Sequence, residues 1–80
     1  MTENDAFQLI LRAIKIAVPA APIDILPATH LIKDGVIDSL DLMAFLFELE
    51  QLCGGELEEI DENFSDFTVG RLIQLVALRA

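Results

Sequence analysis

Apolar residues in the first part of the chain recur at helical spacing: Phe7, Ile10, Leu11, Ile14 and Val18 follow the i, i+3, i+4, i+7 rule. The pattern predicts an amphipathic helix from Asn4 to Val18, with Asn4 or Asp5 as N-cap, stopped by Pro19. Pro22 and Pro27 keep a regular helix from resuming before Asp38, because proline lacks an amide proton and restricts the residue before it. Residues 19–38 therefore form a connection longer than the roughly 12 to 15 residues usual in compact domains. Ile23, Ile25, Leu26, Leu31 and Ile32 can pin it to a core, and a short helical turn is expected near Ile23 to Leu26.

A second helix is predicted from Ser39 to about Cys53, with Asp38 as N-cap, Asp41 completing an acidic form of the capping box, and Gly54 and Gly55 ending it. Advancing about 100° per residue gathers Leu42, Phe45, Leu46, Leu49, Leu52 and Cys53 into one arc, the core face. The same wheel puts Leu40, Met43, Ala44 and Phe47 opposite, edged by Asp41 and Glu48 on one side and Glu50 on the other. A small bundle cannot wrap such a helix completely, so this second stripe is expected to stay exposed as a docking surface. The alternative is that the connection before Asp38 folds over it and makes it core.

Around Glu58 to Asn63 a short acidic helix is expected, with Leu57, Ile60 and Phe64 turned inward. Thr68 then caps a last helix whose buried stripe is Val69, Leu72, Ile73 and Val76. With no internal repeat, strand alternation or linker, residues 1–80 read as one all-α domain: a small bundle of three main helices and one short one.

Composition narrows the function. Fourteen acidic residues against five basic ones give a formal charge of -9, which disfavours nucleic acid and favours partners with basic surfaces. A hydrophobic content of 54% is too high for an acidic disordered tail. No run reaches the roughly 18 to 20 apolar residues of a membrane span, and the start MTENDAFQLI lacks the pattern of a signal peptide, so a cytoplasmic location is expected; the chain is also expected to be a monomer. Cys53, the single cysteine, reads as a small core residue. The acids follow no DxDxDG calcium loop, and no metal site is expected.

Ser39 is the residue with chemistry to explain. It falls in the first turn of the second helix, beside backbone amides that lack intrahelical partners and form a ready anion site. As a hydrolase nucleophile it fails: no GxSxG elbow surrounds it, and the one histidine, His30, lies in the proline-rich connection. From the residues alone, a helix-start serine that shares in capping and a modified serine both remain open, and no enzyme is expected.

The run DSLDLMAFLFELE, Asp38 to Glu50, resembles the signature of acyl carrier proteins and their peptidyl, aminoacyl and D-alanyl relatives, in which an Asp-Ser-Leu triplet opens a helix of mixed apolar and acidic residues. The order of elements fits the same family over nearly all of the chain, which implies an acyl-carrier-like up-down bundle. The resemblance further implies that Ser39 receives a covalent 4'-phosphopantetheine arm from coenzyme A through a phosphopantetheinyl transferase, with Asp38 and Leu40 completing the modification motif. The arm would hold an acyl or aminoacyl group as a thioester, loaded by a ligase and passed to transferases or synthases. Leu40, Met43 and Phe47 match the family's exposed apolar contacts, Asp41 is the following acid of many members, and Glu48 and Glu50 lie where acids meet basic partner surfaces.

Departures from the family pattern bear on the cargo. Carriers of primary fatty acid synthesis typically read LGxDSL with an acid five residues after the serine; here Val36 and Ala44 hold those positions. GVIDSL is closer to dedicated carriers, so an acyl carrier of a specialised or lipid pathway is the leading expectation and an aminoacyl, D-alanyl or peptidyl carrier the alternative. An unmodified helical interaction module is the reading from another class. Leu42, Phe45 and Leu46 line either an internal cleft for an aliphatic cargo or a tight core. His30 reads as an ordinary loop residue, Ser65 as a stop to the short helix, Phe64 and Phe67 as core, and Gly70 as a point of close approach to the first helix.

Overall fold

The first helix, α1 (Glu3–Ala17), starts one residue before the periodicity places it. Thr2 caps it instead of Asn4 or Asp5: its Oγ1 accepts a hydrogen bond from the Asp5 amide at 3.0 Å. This correction has a simple cause. Glu3 and Asp5 then lie in the first turn and Lys15 in the last, each charge complementing the helix dipole. At the far end the Lys15 ammonium donates to the Pro19 carbonyl at 3.0 Å, closing the helix where proline ends it. The buried side of α1 is Ala6, Ile10, Ala13 and Ile14. Two alanines thus belong to the core that a search for large apolar residues overlooks, while Phe7, Leu11 and Val18 are half-buried against it.

The computed structural model describes residues 1–21, 24–61 and 63–78. Its other helices are α2 (Ser39–Cys53) and α3 (Val69–Ala77), and no strand is formed among the described residues. α1 is the central element and packs against both of the others. The radius of gyration, 11.2 Å, is that of a closely packed chain of this length, about 11.6 Å by the usual scaling.

The long connection is ordered through backbone bonds to the start of α3. Thr29 and Pro27 offer their carbonyls to the Val69 and Gly70 amides, each at 2.8 Å, and the Leu31 amide donates to the Phe67 carbonyl at 2.9 Å. Those two α3 amides would otherwise lack partners at a helix start. Gly70 is indeed a point of close approach, but to this connection rather than to α1: a Cβ there would lie 3.2 Å from the Pro27 carbonyl oxygen. Ile25 and Leu31 are buried as expected and Ile32 packs against the core, but Leu26 is 63% exposed. Leu26 faces outward because it begins a turn, with the Thr29 amide donating to its carbonyl. Pro22 and Ile23 lie outside the described residues, and the described part of the helical turn expected there, Asp24 to Leu26, is not helical.

His30 does more than fill a loop. Its Nδ1 accepts from the Ile32 and Lys33 amides, and its own amide donates to the Asp34 carboxylate at 2.8 Å. The turn ends at Gly35, whose φ of 73° is left-handed and suits glycine. After it Val36 and Ile37 enter the core, and the Ile37 amide donates to the Leu31 carbonyl at 3.0 Å. These contacts fix the position of the next residues, Asp38 and Ser39.

The acidic segment expected as a short helix appears among its described residues as two turns, closed by Ile60 to Leu57 and Phe64 to Asp61 amide–carbonyl bonds. Leu57 is buried, and Ile60 and Phe64 pack against the core. Phe64 and Phe67 meet edge to face, with ring centroids 5.1 Å apart, an arrangement favoured by the ring quadrupoles. α3 follows the Thr68 cap, with Leu75 buried in addition to the four residues the pattern selects.

Candidate modification site and docking face

α2 runs from Ser39 to Cys53, as the sequence predicts. The Asp38 carboxylate accepts from the Asp41 amide at 2.8 Å, which is the forward half of the capping box. At the other end Gly54, with φ 84°, donates to the Gln51 carbonyl while the Gly55 amide reaches the Glu50 carbonyl. This six-to-one and five-to-two pair is the glycine stop that satisfies the Glu50 and Gln51 carbonyls at the helix end.

The cap assigns different jobs to neighbouring residues. Asp38 satisfies an amide of the helix start, so Ser39 is not needed as a cap. Ser39 is exposed, and no hydrogen bond among the described residues engages its hydroxyl. The hydroxyl stands at the positive end of the α2 dipole, where a phosphate ester is favoured, although Asp38 and Asp41 oppose a second negative charge. Beside it is a shallow depression of about 480 Å³, lined by the apolar Ile32, Val36 and Ile37 and by the acids Asp38 and Asp41.

The rest of α2 divides into two faces. Phe45 and Leu49 are fully buried, and Leu42, Leu46, Leu52 and Cys53 pack partly buried beside them. On the other face Leu40 is 84% exposed, Met43 72% and Phe47 59%. The described part of the connection before Asp38 leaves this stripe exposed. Ala44 is exposed with the stripe; Asp41 and Glu48 at its edge are half-buried.

Glu50 has a second task. Its carboxylate accepts from the Leu57 amide at 3.0 Å, which ties the end of α2 to the segment that follows. Between these two parts of the chain opens a cleft of about 530 Å³. Leu42 and Leu46 form one wall, Leu57, Ile60, Phe64 and Phe67 the other, and Met43 and Phe47 join it to the exposed stripe. Phe45 is not among its lining residues and serves the core alone. Phe64 and Phe67 thus both support the core and face a cleft, a double role that helical spacing does not reveal.

Among the described residues no cluster of three or more His, Cys, Asp or Glu side chains is arranged to hold a metal ion. No described helix is long and apolar enough to cross a membrane. Compared with models of known protein families, with curated proteins and with solved structures, the chain gives no significant match.

Proposed function

We propose that this protein is an acyl carrier whose Ser39 bears a 4'-phosphopantetheine arm. The observation that carries this reading is the exposed, uncommitted Ser39 hydroxyl at the head of a helix that also presents Leu40, Met43 and Phe47 to solvent. The Asp-Ser-Leu triplet and the order of helices support it, as does the connection that sets Ser39 apart from the core. The bundle in this reading is acyl-carrier-like, with the 57–64 turns standing where the family has its short helix.

In the modification step, Ser39 Oγ forms a bond to the pantetheine-bearing phosphorus of coenzyme A as that phosphorus loses its bond to the second phosphate. The hydroxyl proton leaves to a base on the transferase, and adenosine 3',5'-bisphosphate departs. The arm supplies a terminal thiol that holds the cargo as a thioester. The chain's own residues position the tether and meet the partners. Asp38 sets the helix start, Leu40, Met43 and Phe47 give an apolar contact, and Asp41, Glu48 and Glu50 edge it with negative charge for partners with basic surfaces. Rim charges of this kind mainly raise the encounter rate and weaken with salt, which suits a carrier that must leave one enzyme for the next. In this reading the protein works in the cytoplasm, where coenzyme A and the loading ligase would meet it.

Intact-mass analysis after incubation with coenzyme A and a broad-specificity phosphopantetheinyl transferase tests the reading. One added phosphopantetheinyl group on the wild type and none on Ser39→Ala supports it. No addition to the folded chain, with a control carrier modified in parallel, overturns it in favour of an unmodified interaction module.

A further inference from the structure

The turn that leads into α2 is held by a side chain that can take up a proton. His30 Nδ1 accepts from the Ile32 amide at 3.2 Å and from the Lys33 amide at 3.0 Å. Neither amide has another hydrogen bond among the described residues. A neutral imidazole donates from one ring nitrogen and accepts at the other, so these bonds put its hydrogen on Nε2. Imidazolium is a donor at both nitrogens. A hydrogen on Nδ1 would point at two N–H groups that are themselves donors, and both bonds would be lost. His30 is half-buried, so water can reach it.

From this geometry we infer that His30 is a proton-operated latch: the neutral ring closes the turn over residues 30–35, and protonation opens it and loosens the approach to Ser39. The inference holds whether or not Ser39 is modified. The turn runs through Gly35 into Val36 and Ile37, which are buried, and the Ile37 amide donates to the Leu31 carbonyl at 3.0 Å. Asp38 and Ser39 come next, so opening is felt at the head of α2. Charges of both signs face the ring. Lys33 and Asp34 belong to its own turn, and the Asp34 carboxylate accepts from the His30 amide at 2.8 Å. Across an isolated backbone bridge between His30 and Thr68 lie Asp66 and Arg71. The Asp66 carboxyl is held below the usual carboxylate range chiefly by its bonds from Thr68, with lesser contributions from the charges of Arg71 and His30. Two acids thus face two bases, and what ties the proton to the turn is the exclusion at Nδ1.

Amide hydrogen exchange on the isotope-labelled chain tests the latch at about pH 7 and about pH 5, the interval in which histidine changes charge. A free imidazole has a pKa of about 6.5, so each pH unit below that raises the open-to-closed ratio about tenfold. Protection of the Ile32 and Lys33 amides, corrected for intrinsic exchange, should therefore fall by more than about tenfold, and Ile37 should follow. The Leu31 amide, bonded to the Phe67 carbonyl at 2.9 Å, should keep its protection. At the higher pH the Nδ1 resonance should be that of a ring nitrogen without hydrogen. His30→Asn puts a carboxamide oxygen in the place of Nδ1, an acceptor that takes no proton here, and should hold its protection at both pH values. Asp34→Asn and Asp66→Asn, which also keep an acceptor oxygen, should retain the wild-type fall.

Unchanged protection in the wild type, or a hydrogen on Nδ1 at the higher pH, overturns the inference. So does a fall that persists in His30→Asn, or one abolished by Asp34→Asn or Asp66→Asn and so owed to a carboxylate. A fall shared by Leu31 is general loosening, and one that never reaches Ile37 leaves the head of α2 untouched; either result overturns the latch as well. Thermal melts establish that each variant is folded. Should His30→Asn not fold, the wild-type Nδ1 resonance and amide protection, read beside the two carboxylate variants, still decide.

Discussion

The Asp38 carboxylate holds the Asp41 amide at 2.8 Å, and Ser39, one residue inside this bond, takes no part in it. Capping and the proposed tethering are therefore separable by mutation. Asp38→Ala should lower stability by about 1 kcal/mol, the usual cost of losing an N-cap. Ser39→Ala should change it by less than about 0.5 kcal/mol, as for exposed sites without a structural bond. Denaturant titrations of both variants check the ranking. A Ser39→Ala loss as large as that of Asp38→Ala would make the serine a structural residue.

The two faces of α2 predict opposite outcomes. Leu49→Ala empties a fully buried site and should cost about 2 to 5 kcal/mol. Phe47→Ala, at a position 59% exposed, should cost less than about 1 kcal/mol yet, under the proposed carrier function, slow turnover by enzymes that act on the loaded chain. Thermal melts beside a loading assay separate the two effects, and the reverse ranking would refute the assignment of faces.

Gly35 turns the chain toward Asp38 with a φ of 73°. A side chain there meets open space, so the penalty of Gly35→Ala is conformational, about 1 to 2 kcal/mol for a residue with a Cβ in that region. Gly35→Asn should be milder, since asparagine tolerates the left-handed conformation better. Equal stability of wild type and Gly35→Ala would show that the turn relaxes.

Asp66 is the group through which acid should act on the start of α3. Its carboxyl is held below the usual carboxylate range, first by the hydrogen bond from the Thr68 hydroxyl and then by the one from the Thr68 amide. A carboxyl whose folded value lies below its unfolded one adds stability that is fully present above the unfolded value and is lost as pH falls through the folded one. The contribution therefore disappears on acidification below the ordinary carboxylate range. Melting temperatures followed from about pH 6 to pH 2 should fall less steeply in Asp66→Asn than in the wild type; parallel curves would remove Asp66 from the acid response.

Much of this arrangement follows from the sequence itself, because its determinants are local. Helical spacing, the prolines at 19 and 27, the Asp38 and Thr68 caps and the Gly54 stop place α2 and α3 at their observed positions. The same 100° arithmetic separates Phe45 and Leu49 from Leu40, Met43 and Phe47. Local chemistry misjudges the start of α1, where Thr2, Asn4 and Asp5 are all competent caps and only the observed hydrogen bond decides among them.

What tertiary structure decides is whatever depends on pairing between distant segments. The sequence shows a long connection but not that its Pro27 and Thr29 carbonyls complete the start of α3, nor that Gly70 faces Pro27 rather than α1. It shows apolar residues at 42, 46, 57, 60, 64 and 67 without saying whether they close on one another or leave a cleft, and it places Glu50 on a rim without its bond to Leu57. The physical reason is that a helix is specified by neighbours three and four residues away, whereas a cleft is the space left when separate segments meet. Whether that space is filled depends on packing between them, which no local pattern encodes.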